Sequence, residues 1–144
     1  TKTGTNIDMA HLAYVDSGTG LSTWWGHIPN NLAGTPAWSL DLLHHADSGS
    51  GGNVMLQVYA RASSASQLID AAPVVVYSAN AVAVNTSNVW THTVALSGGN
   101  FDSPVSVASN NYLQLEIYRL GGHASDTVGA QWNLTSVAMR IDVT

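Results

Sequence analysis

The chain has 144 residues, no cysteine and a formal net charge of −5, so one domain is expected and disulfide or thiol chemistry is excluded. Its only basic residues are Lys2, Arg61, Arg119 and Arg140, which excludes an electrostatic grip on nucleic acid or anionic lipid. Charged residues make up 9% of the chain, against about 25% in ordinary globular domains, so the surface rests on Ser, Thr, Asn and Gly and suits contact with other protein or a harsh extracellular setting.

No apolar run approaches the ~18 residues of a membrane span. Residues 1–20 are polar and Gly-rich, with one apolar patch at Ile7–Val15 and a possible short strand at Leu12–Tyr14. They read as an N-terminal arm or extension, ended by a loop at Ser17–Gly20, ahead of a domain at residues 21–144. Pro29 and Pro36 keep a central strand from passing through them. Trp38, Leu40 and Leu42 alternate with polar residues and point inward. His44–Asp47 leads into the flexible Ser48–Gly52, read as a hairpin connection, and Val54–Arg61 returns as the partner strand.

Leu68–Ala72 has room for one helical turn before Pro73. Val74–Tyr77 and Ala81–Val84 are short strand candidates, Val89–Leu96 is a further strand, and Val105–Ala108 is short. The clearest strand is Tyr112–Arg119: Leu113, Leu115 and Ile117 fall on one side, and Gln114, Glu116 and Tyr118 on the other. Apolar residues of the last segment change parity between Leu134 and Val137, which predicts a β-bulge. About eight strands separated by turn residues, with no long helix, predict an all-β fold: an antiparallel jelly-roll β-sandwich.

Several landmarks stand together. Ile28-Pro29-Asn30-Asn31 precedes the Trp38–Leu42 alternation. The Gly-rich loop, Val54–Val58 and Leu68–Ala72 follow. Then come Leu113-x-Leu115-x-Ile117-x-Arg119, Asp126-Thr127, and a last strand through Met139 and Ile141. Over roughly residues 24–143 this pattern resembles the jelly-roll domains of tailed-bacteriophage virion proteins. The resemblance implies a structural protein of the virion, either capsid decoration (cement) or a tail or head fibre module, often trimeric. Its implied partners are the major capsid protein or other virion subunits, with host glycan a further ligand for a fibre.

Candidate sites follow from side-chain chemistry. Trp24 and Trp25 are strand neighbours facing opposite ways, so one is core and the other a surface ring, unless both are core. A surface ring suits a subunit interface or a sugar platform. Tyr112, Tyr118 and Glu116 share a polar–aromatic face of the same kind. Arg119 and Asp126, seven residues apart, are a candidate structural tie for the intervening loop.

No metal, cofactor or catalytic residue is assigned. His44 and His45 are adjacent on a strand and diverge, and the other histidines are isolated. Among the carboxylates, Glu116, Asp41 and Asp142 fall on polar strand positions with nothing to set a separation. No nucleophile elbow or phosphate-binding loop is present. The expectation is a binding protein rather than an enzyme.

Overall fold

The computed structural model describes residues 12–14, 18–31, 36–47, 51–63, 72–84, 90–96, 108 and 111–141. Among them are eight strands and no helix: β1 (Leu12–Tyr14), β2 (Thr19–His27), β3 (Trp38–Ala46), β4 (Gly52–Ser63), β5 (Val74–Val84), β6 (Trp90–Ala95), β7 (Tyr112–Leu120) and β8 (Trp132–Ile141). They form two four-stranded antiparallel sheets. Sheet A has the order β1-β8-β3-β6 and sheet B the order β2-β7-β4-β5. The pairings β1–β8, β2–β7, β3–β6 and β4–β5 are nested around the β4–β5 connection. Every other step along the chain changes sheet.

Both sheets contribute to one apolar core. Leu40, Leu42, Val94, Trp132 and Leu134 come from sheet A, and Val54, Leu56, Val58, Val82, Leu113, Leu115 and Ile117 from sheet B. Period-two side-chain placement produces this: each strand turns alternate residues to the shared interior. Burial of that apolar surface, at roughly 25 cal/mol per Å² removed from water, is the main force holding the layers together.

Several expectations are corrected. The strands at Trp38–Leu42 and Val54–Arg61 exist with the expected inward residues, but they are not hairpin partners. β3 pairs with β6 and β8, and β4 with β5 and β7. Alternation fixes which face of a strand is buried and says nothing about its neighbour. His44–Ala46 is not a lead-in to a loop but the end of β3, and Thr19–Gly20 opens β2. The two short signals at 74–84 are one strand, carried through register shifts on either side of Val58.

The parity change in the last strand is a bulge. Leu43 faces Ser136 while His44 faces Leu134, leaving Thr135 as the extra residue. The turn at Leu68–Ala71 and the segment 105–107 lie outside the described residues. So do 1–11 and 15–17 of the arm. The sheets, however, begin at Leu12 and not at residue 21: β1 pairs with β8, and Tyr14 is buried against Trp132 with ring centroids 4.9 Å apart. Three residues are too few for periodicity to show.

Two glycines are required here. Gly18 has φ +86°, a region that costs other residues. At Gly20 a Cβ would lie 2.6 Å from Cδ1 of Tyr14, so the aromatic ring occupies the space a side chain would need.

Candidate functional site

The outer face of sheet B collects most of the candidate residues. Leu113, Leu115, Ile117 and Arg119 of β7 turn inward, so Tyr112, Gln114, Glu116 and Tyr118 turn outward. The β2 register sets Leu21 opposite Tyr118, Thr23 opposite Glu116, Trp25 opposite Gln114 and His27 opposite Tyr112. On the other flank Gln57 faces Tyr118, Tyr59 faces Glu116 and Arg61 faces Gln114. Paired residues in a ladder share a face, so three strands build one surface. Leu21 at 52%, Trp25 at 55% and Tyr112 at 50% exposure are the large apolar side chains left in solvent among the described residues. All three lie on it. His27 meets Tyr112 edge-on with ring centroids 5.2 Å apart.

The centre of this surface is polar and largely closed. Glu116 and Gln114 are each only 8% exposed. Glu116 is ion-paired with Arg61, accepts a hydrogen bond from the Tyr118 hydroxyl at 3.1 Å and a long one from Gln114 Nε2 at 3.4 Å. Tyr59 packs edge-on to Tyr118 with centroids 5.3 Å apart. Burial, then the hydrogen bond to and charge of Glu116, hold the Tyr118 hydroxyl above its ordinary pKa. Gln114 Oε1 is buried without a hydrogen-bond partner among the described residues. The centre is therefore charge-balanced, with one buried acceptor unused and a tryptophan ring directly beside it.

Trp25, Tyr112, Tyr118 and Glu116 thus come together. Trp24 does not join them. It turns inward, donates from Nε1 to Ser22 Oγ at 2.8 Å, and lines a cavity of about 120 Å³ with Leu113, Leu115, Val137 and Met139. Arg61, Gln114, Tyr59 and Leu21 belong to the surface and are not among the sequence candidates. Their outward parity was readable, but their placement beside Trp25 depends on which strands pair.

Arg119 and Asp126 meet in the interior. Arg119 is fully buried among the core residues of β7, and all five of its N–H groups are used. Nε and Nη2 donate to the two oxygens of Asp126 at 3.0 and 2.8 Å. Nη2 also reaches the carbonyl of Val128 at 2.6 Å, and Nη1 those of Ala130 at 2.8 Å and Tyr14 at 3.4 Å. Asp126 in turn accepts from the backbone N–H of Met55 at 3.0 Å. Asn53 bonds Thr127 twice, its N–H to Oγ1 and its carbonyl to the Thr127 N–H. The tie therefore joins β7, β4, β1 and the 121–131 loop, well beyond the segment Leu120–Ser125.

Sheet A carries a histidine cluster at the same end, around Trp132 and Asn133. His44 is fully buried and accepts at Nδ1 from Trp132 Nε1 at 3.1 Å, with the His92 ring 6.2 Å away. Burial first, then the charges of His92 and His45, push its pKa down to about 4. Asn133 bridges His45 and Asp47, at 3.3 and 2.5 Å. Among the described residues no three His, Cys, Asp or Glu are grouped to hold a metal ion. Asp41 lies on the outer face of sheet A, bonded to Thr93 at 2.5 Å and Arg140 at 2.6 Å, whereas Glu116 is on the outer face of sheet B. These two carboxylates cannot serve one substrate. Asp142 lies outside the described residues.

No protein-family model, characterised protein or solved structure matches the chain.

Proposed function

We propose that this chain is a non-catalytic binding module with a jelly-roll fold: a structural protein of a phage virion that decorates the capsid and docks through the outer face of sheet B. The jelly-roll reading is supported by the strand orders β1-β8-β3-β6 and β2-β7-β4-β5, in which nested antiparallel pairs alternate between two sheets. The observation that carries the docking reading is the gathering of Leu21, Trp25 and Tyr112 on one face. Exposed aromatics with a leucine, set around groups already paired with each other, have the chemistry of interface anchors. Covering them with another virion subunit adds contacts that shell dissociation must break. A homotrimer is the expected assembly.

The test is capsid melting. Capsids carrying the protein are compared with bare capsids and with capsids given a Leu21→Ser, Trp25→Ala, Tyr112→Ala variant. Higher melting with the parent alone supports the reading; equal melting in all three overturns it. Light scattering of the free protein reports the trimer.

A fibre or receptor-binding role is favoured by a different observation, the unused acceptor of Gln114 beside the Trp25 ring. A neutral saccharide fits that pair once the Gln114 amide turns outward: its apolar ring face stacks on Trp25 and a hydroxyl donates to the freed Oε1. A glycan array with Trp25→Ala as control separates the roles. Saturable sugar binding that the variant loses favours the fibre role, and an empty array returns the weight to capsid docking.

A further inference from the structure

Tyr14 anchors β1 on Trp132, and Trp132 in turn depends on His44. The Trp132 ring is fully buried, with its centroid 4.9 Å from that of Tyr14 and 5.6 Å from that of His44. Its one polar atom, Nε1, donates to His44 Nδ1 at 3.1 Å. β1 has three residues, and in its ladder with β8 Tyr14 faces Trp132. Tyr14 is further held by a hydroxyl bond with Ser22 Oγ and by a long bond, 3.4 Å, from Arg119 Nη1 to its carbonyl.

An indole N–H can only donate. His44 Nδ1 therefore keeps its lone pair, and the proton of the neutral ring sits on Nε2. A second proton can go only to Nδ1, where it would face the indole N–H, donor against donor. The bond from Trp132 and a positive His44 exclude each other, and a buried indole without its acceptor is costly. We propose that this contact is an acid-released latch: proton uptake at His44 breaks the bond from Trp132, Trp132 and Tyr14 part, and β1 detaches from β8 while sheet B stays folded.

The ionisable groups facing His44 among the described residues are His92 of β6, 6.2 Å away ring to ring, and His45 of β3, whose Nε2 lies 3.7 Å from Asp47. β8 contributes Trp132 and Asn133, and β5, which also approaches β3, contributes buried valines. Beyond Trp132 stand Tyr14, whose hydroxyl burial pushes up to about 12, and Arg119, paired with Asp126 at 2.8 Å. Burial, then the charges of His92 and His45, holds the pKa of the closed His44 ring down to about 4, against 6.5 for a solvated one. The latch is thus fully shut above pH 6.5. Each pH unit below that favours release about tenfold, until about pH 4.

NMR of the 15N-labelled protein tests this. Near neutral pH the His44 nitrogens should read as unprotonated Nδ1 and protonated Nε2. As pH falls from 6.5 toward 4, exchange of the Trp132 indole proton and the β1 amides, corrected for the intrinsic rate, should speed about tenfold per unit with little dependence on urea. Amides of sheet B around Ile117 should exchange more slowly and with the steep urea dependence of global unfolding. In His44→Gln the amide oxygen accepts from Trp132 without titrating, so the pH slope should vanish. The opposite tautomer, exchange that ignores pH, or a slope carried only by global unfolding overturns the proposal. Should His44→Gln fail to fold, the tautomer and the urea dependence of the parent decide.

Discussion

Arg119 holds Asp126 through two parallel hydrogen bonds, at 3.0 and 2.8 Å, with both side chains sealed from solvent. The remaining guanidinium N–H groups are spent on three backbone carbonyls, Tyr14 of β1 and Val128 and Ala130 of the 121–131 loop. Lysine has no planar fork and cannot reproduce this set. Arg119→Lys is expected to lower stability by about 3–5 kcal/mol, the usual cost of breaking a buried pair. Urea denaturation checks it, and an unchanged midpoint would count against the hub.

Gly20 gives a sharper steric test. A methyl there would sit 2.6 Å from the Tyr14 ring, which is itself fixed by Trp132 and by a hydrogen bond with Ser22. Gly20→Ala is expected to destabilise by about 1–3 kcal/mol through overpacking, despite alanine's smaller loss of backbone entropy. Thermal melting of Gly20→Ala alongside a Tyr14→Leu, Gly20→Ala double variant should show partial rescue in the double.

His44 makes stability depend on pH. Its folded pKa of about 4 lies below the unfolded value near 6.5. Between those values the unfolded chain takes up a proton that the folded chain refuses, so this contribution is complete above pH 6.5 and falls as pH drops toward 4. At about 1.4 kcal/mol per unit the loss is about 3 kcal/mol. His44→Gln keeps an acceptor for Trp132 Nε1 and should flatten the pH profile of the urea midpoint over that window. A profile identical to the parent's would remove His44 as the cause.

The two adjacent tryptophans should separate stability from binding. Trp24 packs against the core, and Trp24→Ala is expected to cost about 3–5 kcal/mol of folding free energy. Trp25 stands in solvent, so Trp25→Ala should melt close to the parent; on the capsid-docking proposal it should also bind capsid about 30-fold more weakly, the ~2 kcal/mol of an interface anchor. Melting curves together with capsid co-sedimentation measure both. A Trp25→Ala protein that binds unchanged would mean another surface is used.

What the sequence disclosed was face rather than neighbour. The alternation of β3, β4 and β7 marked their buried residues, and the parity slip between Leu134 and Val137 marked the bulge, because a strand's period of two is a property of the strand alone. The same pattern cannot say that β4 leaves β3 and pairs with β7, since that choice depends on how two layers close. The surface around Glu116 was partly legible for the same reason. Tyr112, Glu116 and Tyr118 share one strand, whereas Arg61 and Leu21 arrive from neighbours more than fifty residues away in the chain. Trp24 and Trp25 could be assigned opposite faces, but which ring was core waited on the β2–β7 register.

The position of β8 also bears on how the protein is made. It is the last of the eight strands to leave the ribosome, yet it lies inside sheet A, between β1 and β3. Until it emerges, β1 has no ladder partner among the described residues and the β8 side of β3 is unpaired, so the sheet is completed only after the other strands have been synthesised. Closing such distant pairings is slow, and for that interval the nascent chain carries open strand edges of the kind that molecular chaperones shield.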